Sequence, residues 1–164
     1  MLFNTSAGIG GFTVSFVIGN SDAIAAARFF YGVASTASAI ANAEPDAIAN
    51  RFGFTKRTTD SNVQISYTGA TGNGIYVDLG SNFPTANSNS EFYYCVIRAN
   101  NLGYYYYIKN LASGNETSNF IAYDSANMPL SGSAAAVQNI HLWRNNSATA
   151  TAPAFDLFSL TLEN

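Results

Sequence analysis

Charge is scarce in this sequence. Asp, Glu, Lys and Arg make up only 10% of the 164 residues, whereas they make up about a quarter of an average soluble protein. The formal net charge is −3, and the seven basic residues are scattered along the chain. Because nucleic-acid binding needs a clustered basic stripe, we expect no nucleic-acid partner.

Cysteine and histidine occur once each. Cys95 alone excludes a disulfide framework and a multi-cysteine metal site, and within a strand we expect it to be a small buried apolar residue. His141 alone excludes a multi-histidine metal site, and we expect a structural role for it. The acidic residues form no calcium loop, although groups from separate loops could still hold one ion. We therefore predict no metal site and no cofactor.

Long apolar runs are absent as well. No stretch approaches the roughly 20 apolar residues of a membrane span, and no basic segment followed by an apolar one marks a signal peptide. Neither membrane insertion nor a signal peptide is predicted. Met1 is followed directly by strand-like residues 2–5. We expect residues 1–164 to form one domain, the C-terminal part of a longer protein.

Catalytic constellations are also missing from the sequence. No Ser or Cys lies in a nucleophile-elbow setting. Glycoside hydrolysis needs only two carboxylates, but no two of the ten acidic residues lie two positions apart within one strand, the spacing that places a pair on one sheet face. A pair assembled from distant loops would be invisible here. We predict that the chain is not an enzyme and has no catalytic residues.

What the sequence does contain is a succession of short strands. Residues 12–18 alternate apolar and polar side chains, which predicts a half-buried strand. Residues 20–27 and 43–50 are two short helical candidates, the second with Pro45 at its start. Many short strands without a βαβ rhythm predict an all-β antiparallel sandwich of jelly-roll type with one or two short helical turns. The further predicted strands are 28–34, 51–57, 62–68, 74–79, 92–99, 103–109, 120–123, 138–144 and 155–162.

Four consecutive tyrosines, residues 104–107, stand at the centre of the chain. The predicted strand 103–109 contains them, and a short loop at 100–102 joins it to the predicted strand 92–99. The Asn-Asn-Leu-Gly sequence of residues 100–103 is typical of a turn. Side chains alternate along a strand, so Tyr105 and Tyr107 share a face with Lys109. If the opposite face, with Ile108, belongs to the core, both tyrosines point outward.

Four short stretches carry a family resemblance. They are Gly11-Phe-Thr-Val-Ser-Phe16, Arg28-Phe-Phe-Tyr-Gly-Val33, Val77-Asp-Leu-Gly-Ser-Asn-Phe-Pro84 and His141-Leu-Trp-Arg-Asn-Asn146. On these stretches the chain resembles the C-terminal domains of tailed-bacteriophage tail fibres and tail spikes. The resemblance implies a concanavalin-A-like jelly roll in a virion protein that is extracellular, forms a homotrimer and contacts the host's surface polysaccharide. The metal-binding motif of legume lectins is not evident.

Exposed aromatic rings with amide and hydroxyl groups suit the apolar faces and hydroxyls of sugars. Tyr105 and Tyr107, with Asn100 and Asn101 in the adjoining loop, are therefore candidate glycan contacts. The same tyrosines could instead lie in a trimer interface, where tyrosine is enriched, or be ordinary surface residues. A second candidate is the turn formed by Arg144, Asn145 and Asn146, which could equally be a plain hairpin turn.

These observations predict a non-catalytic tail-fibre domain that recognises bacterial surface polysaccharide. One alternative is a structural tip or trimerisation module without a ligand of its own. Another is a depolymerase of capsule polysaccharide.

Overall fold

The computed structural model describes most of the chain. The described residues are 11–20, 24, 26–35, 43–69, 74–85, 90–124, 127–129, 139–146 and 155–163.

In the described part of the chain, ten strands, numbered in chain order, make up nearly all of the regular structure. They are β1 (Phe12–Asn20), β2 (Arg28–Ala34), β3 (Arg51–Lys56), β4 (Gln64–Thr68), β5 (Ile75–Asp78), β6 (Phe92–Asn100), β7 (Gly103–Asn110), β8 (Glu116–Ala122), β9 (Asn139–Asn145) and β10 (Phe155–Glu163). A single turn of 3₁₀ helix, Pro45–Ala47, precedes β3.

The strands form two five-stranded sheets. The first sheet has the order β10-β1-β6-β7-β8, and the second sheet has the order β5-β4-β3-β2-β9. Every paired strand is antiparallel to its neighbour. This confirms the prediction of an all-β antiparallel sandwich of jelly-roll type.

Aromatic side chains from both sheets fill the space between them. The ring of Phe16 meets that of Phe54 edge to face, with centroids 6.2 Å apart. Phe52 stacks on Tyr104 with centroids 4.5 Å apart. Cys95 is buried in the same cluster, as predicted. The inner face of each sheet consists of every second residue of its strands. The alternation of apolar and polar residues in each sheet therefore determines which face packs against the other sheet.

The helical predictions are only partly confirmed. The segment 43–50 contains Pro45–Ala47, with Pro45 in the first turn as predicted, but the helix is one turn long. Asn20 ends a strand instead of beginning a helix. Residues 21–23 and 25 lie outside the described part of the chain, as do the strand-like residues 2–5. Within the described residues, no helix is long and apolar enough to span a membrane.

The outer faces of the two sheets differ in accessibility. On the second sheet, residues 43–50 lie against the strands, and Ile48 forms a buried cluster with Phe30 and Trp143. The side chain of Arg51, which belongs to this face, is only 1% exposed. The outer face of the first sheet carries partly exposed side chains along β1, β6 and β7. A ligand as large as a polymer can therefore reach the first sheet more easily.

Candidate functional site: the tyrosine face

The outer face of the first sheet is an open surface of aromatic, hydroxyl and a few charged side chains, which we call the tyrosine face. Its alternate residues from β1, β6 and β7 are partly or well exposed, whereas their neighbours are buried. The side chains at its centre are Thr13, Ser15, Val17, Phe92, Tyr94, Val96, Arg98, Tyr105, Tyr107 and Lys109. Those toward its two edges are Glu116, Ser118, Phe120, Phe158, Ser159, Thr161 and Glu163.

The alternation within the tyrosine run is as predicted. Tyr104 and Tyr106 are buried in the core, whereas Tyr105 and Tyr107 lie on the outer face. The ring of Tyr107 meets that of Tyr94 from the neighbouring strand, with centroids 6.0 Å apart and planes at 65°. The face therefore presents paired aromatic rings held by two long strands.

Three polar groups meet beside this ring pair. The hydroxyl of Tyr107 donates a hydrogen bond to Oε2 of Glu116 at 2.7 Å. Nζ of Lys109 lies 3.6 Å from the same oxygen. The Tyr107 hydrogen bond, followed by the charge of Lys109, lowers the pKa of the Glu116 carboxyl. That bond and the adjacent negative charge raise the pKa of Tyr107 to about 12, so Glu116 is ionised and Tyr107 is protonated at neutral pH.

A cleft of about 320 Å³ lies at one end of the tyrosine face, and we call it the polar cleft after its polar side chains. Its lining consists of Gly11, Phe12, Thr13, Arg98, Ala99 and Glu163. Arg98 Nε donates a hydrogen bond of 3.3 Å to the Thr13 hydroxyl, and Glu163 pairs with Thr13 from the other side. Arg98 also pairs across the strands with Tyr105. The carboxylate of Glu163 has no hydrogen-bond or ion-pair partner among the described residues. This cleft can therefore offer both a cation and an acceptor to a ligand.

The asparagines predicted as glycan contacts lie at the turn beyond the polar cleft. Asn100 Oδ1 accepts hydrogen bonds from the backbone N–H groups of Leu102 and Gly103 at 2.8 and 3.1 Å. This side chain therefore holds the β6–β7 turn in shape. Asn101 is exposed. The structure brings both residues to the same end of the sheet as Tyr105.

The other predicted contacts, Arg144, Asn145 and Asn146, belong to the second sheet. Asn145 Oδ1 accepts a hydrogen bond from Arg28 Nε at 2.9 Å, and Asn145 Nδ2 donates to the carbonyl of Ala43 at 3.3 Å. Asn146 is buried. The two groups of predicted contacts therefore lie on different sheets and cannot form one site.

A buried polar cluster closes the outer face of the second sheet. Arg51 donates hydrogen bonds to the Ser66 hydroxyl at 2.8 Å, to the carbonyl of Ile48 at 2.6 Å and to the Tyr76 hydroxyl at 3.0 Å. The Tyr76 hydroxyl donates to Asp46, and burial raises the Tyr76 pKa. These contacts fasten the segment 43–50 to the sheet, so we assign the cluster a structural role.

Sequence reasoning missed Tyr94, Glu116, Arg98 and Glu163. The alternation of residues 92–98 contains the signal for Tyr94, since it places this ring on the face opposite Cys95. Glu116 and Glu163 come from the two edge strands. Glu116 was missed because residues 116–119 lack the alternation that predicts a strand, whereas the place of Glu163 beside β1 depends on a long-range strand pairing.

No protein-family model and no curated protein matches this chain. Several solved structures do match it. Alginate lyase A1-II′ of polysaccharide lyase family 7, solved at 1.0 Å, is similar with a TM-score of 0.54 and 10% identity over 98% of this chain and 63% of the lyase. A variant of this family 7 lyase in complex with its substrate GGMG gives a TM-score of 0.55 and 11% identity over 98% of this chain and 62% of the lyase.

A third similar structure is xylan β-1,4-xylosidase from Bacillus halodurans C-125. It gives a TM-score of 0.53 and 12% identity over 94% of this chain and 28% of the xylosidase. The chain thus spans less than two thirds of the length of each of these proteins. At these identities the likeness shows the fold, a jelly-roll β-sandwich, and nothing finer.

The prediction that this chain is not an enzyme is wrong as it stands, since these structures of the same fold are those of enzymes. Its physical premise was also too narrow. It considered carboxylate pairs, within one strand or assembled from distant loops, whereas the tyrosine face brings together one carboxylate, Glu116, with Tyr107 and Lys109 from two strands.

Proposed function

We propose that this protein acts on a polysaccharide that binds along the tyrosine face. The observation that carries the proposal is the open row of paired aromatic rings, hydroxyls and charged groups on that face. The fold, shared with lyases that act on alginate and a xylosidase that acts on xylan, supports the choice of ligand class. The covered outer face of the second sheet makes that side a poorer candidate.

Binding follows from the chemistry of the exposed side chains. Sugar rings present apolar C–H faces that stack on aromatic rings, and Tyr94, Tyr105 and Tyr107 offer such rings. The hydroxyls of Ser15, Ser118 and the tyrosines both donate and accept hydrogen bonds. A long shallow face of this kind suits a polymer that contacts several side chains in turn.

The groups beside Tyr107 can perform proton transfer on a bound sugar. Cleavage of a uronic-acid polymer by β-elimination requires a cation near the carboxylate, a base for the adjacent proton and an acid for the glycosidic oxygen. Lys109 supplies the cation, ionised Glu116 takes the proton adjacent to the carboxylate, and the Tyr107 hydroxyl gives its proton to the glycosidic oxygen as the carbon–oxygen bond breaks. The proton on Glu116 then returns to Tyr107 across the hydrogen bond between them. The proposed activity is accordingly that of a polysaccharide depolymerase.

The family resemblance supports a narrower setting. We propose that the chain is the distal domain of a bacteriophage tail fibre, located on the virion, and that its polysaccharide belongs to the surface of a bacterial host. Three copies on one homotrimeric fibre would raise the apparent affinity by about 10²–10⁴ when they bind together. This gain suits individually weak sugar sites.

The test is incubation with a panel of alginate, xylan and bacterial capsule polysaccharides, followed by sizing and by ultraviolet absorbance of the new conjugated double bond. We expect the rate of cleavage to fall at least tenfold in Glu116→Gln and in Tyr107→Phe. The rate should not fall in the matched control Tyr123→Phe. If the protein retains a polysaccharide but does not shorten it, the catalytic part of the proposal is refuted. Retention lost in Asn145→Ala, but not in Tyr107→Ala, would move the site to the second sheet.

A further inference from the structure

An apolar cleft lies at the end of the tyrosine face opposite to Arg98. It has a volume of about 310 Å³, and its lining consists of Val17, Phe92, Leu111, Ala112 and Phe158. Among the described residues, no polar or charged side chain contributes to that lining. The volume falls at the lower end of the range for small-molecule sites.

A glycine makes room for one wall of the cleft. Gly19 pairs with Phe92 across strands β1 and β6. A Cβ atom at position 19 would lie 2.5 Å from Cδ1 and 2.7 Å from Cε1 of Phe92, which is far inside van der Waals contact. The missing side chain therefore lets the Phe92 ring lie over β1 and close the cleft on that side.

A β-bulge provides the second wall. Val17 pairs with Ser159 and Ile18 with Leu157, so Phe158 is an extra residue in β10. A bulge can turn a side chain to the other face of a sheet, and here the Phe158 ring meets that of Phe92 at 5.3 Å with planes at 79°. Although it forms this contact, Phe158 remains 61% exposed.

Asn110 fixes the third wall. Its buried side chain accepts hydrogen bonds from the backbone N–H groups of Ala112 at 2.9 Å and Ser113 at 3.2 Å. The N–H of Leu111 donates to the carbonyl of Phe92 at 2.8 Å. The turn that carries Leu111 and Ala112 is therefore held against the sheet, and the cleft is formed before any ligand arrives.

Two rings at nearly a right angle form a corner, which suits a projecting group better than the flat face of a sugar ring. A hydroxyl facing these rings would find no hydrogen-bonding side chain among the lining residues, whereas a methyl group would contact apolar side chains there. We propose that the apolar cleft binds a methyl group carried by a sugar unit of the polysaccharide, as in a 6-deoxy or an acetylated sugar.

This inference rests on the proposed function and narrows its substrate class. Val17 in the apolar cleft and Thr13 in the polar cleft are four residues apart on one strand, which is about 13 Å at about 3.3 Å per residue. One polymer lying along β1 can therefore reach both clefts. The substrate would combine a methyl-bearing unit at one end of the face with a polar or acidic unit at the other.

The experiment compares matched sugars by saturation-transfer NMR on the intact chain. The probes are L-rhamnose against L-mannose for the 6-deoxy source, and N-acetyl-D-glucosamine against D-glucose for the acetyl source. We expect the strongest transfer to the methyl protons of at least one probe, and about fourfold tighter binding than to its partner, the factor that burying one methyl group gives. Phe158→Ala should abolish this preference, whereas the control Tyr123→Ala, at an exposed aromatic residue outside the tyrosine face, should keep it.

Equal binding within both pairs, or transfer confined to ring protons, would overturn the inference. Light scattering that shows an oligomer dissociated by Phe158→Ala would also overturn it, because the cleft would then hold a second copy of the chain. The two proposals fail separately. A polysaccharide that is cleaved without any methyl preference refutes only the cleft assignment, and methyl-sugar binding without retention of any polymer refutes only the proposed function.

Discussion

The Tyr107 hydroxyl donates a hydrogen bond to Glu116, although the two residues are not directly opposite each other. Tyr107 lies opposite Ser118, and Glu116, two residues earlier in β8, lies opposite Lys109. The contact is therefore diagonal, and the Tyr107 ring also meets the Tyr94 ring, with planes at 65°. One side chain thus makes both an aromatic contact and a hydrogen bond as donor.

Replacing Tyr107 by Phe should raise the pKa of Glu116 toward its ordinary value, because the hydrogen bond is the largest cause of the lowering. A depressed carboxyl pKa stabilises the folded state above the pKa of the unfolded chain, and this contribution disappears as pH falls through the folded value. NMR titration of the Glu116 carboxyl carbon measures the change. In Tyr105→Phe the titration should stay that of the wild type, and an unchanged curve in Tyr107→Phe would refute the assigned cause.

An alanine scan of the four tyrosines should separate them into two pairs. Tyr104→Ala and Tyr106→Ala remove buried rings from the core and should lower the free energy of unfolding by about 3–5 kcal/mol. Tyr105→Ala and Tyr107→Ala should each cost less than about 1 kcal/mol, since their rings lie on the outer face. Urea denaturation followed by Trp143 fluorescence measures this. Four similar values would contradict the alternation.

Replacing Arg51 by Met should destabilise the fold by about 2–4 kcal/mol, because the carbonyl of Ile48 and the Tyr76 hydroxyl lose a charged donor. The loss should be larger than that of Arg98→Met, an exposed arginine whose replacement should stay within about 0.5 kcal/mol. Chemical denaturation of both variants gives the comparison. Equal costs would mean that the segment 43–50 does not depend on this cluster.

Gly19→Ala should displace the Phe92 ring outward, because the new methyl group would overlap it. We expect loss of the nuclear Overhauser contacts between Phe92 and Phe158 and a cost of about 1–3 kcal/mol in the free energy of unfolding. Gly114→Ala is the matched control, since its φ of 79° is strained for alanine but no atom lies near the added methyl. Preserved ring contacts in Gly19→Ala would show that the cleft does not depend on the glycine.

Local patterns were sufficient for much of the fold. Alternation placed Tyr105 and Tyr107 on the outer face, as the structure confirms. Strand β8 was predicted to start at residue 120, because residues 116–119 lack an apolar alternation. They form an edge strand whose side chains are mostly exposed, so burial imposed no pattern on them.

The candidate site was less accessible from the sequence, because strand pairing is long-range. Asn145 pairs with Arg28, at a separation of 117 residues, and this pairing takes Asn145 and its neighbours to the second sheet. Glu163 likewise reaches Thr13 from the far end of the chain. No periodicity within either segment specifies its partner.

The tyrosine run also has a consequence for how strand β7 finds its place during folding. If β7 slipped by one residue, a tyrosine would still occupy three of the four tyrosine positions, so the aromatic side chains alone hardly oppose the error. The slip would, however, turn Ile108 to solvent and Lys109 to the core, and it would remove Asn110 from its turn. The last three residues of the strand therefore oppose the slip where the tyrosines do not.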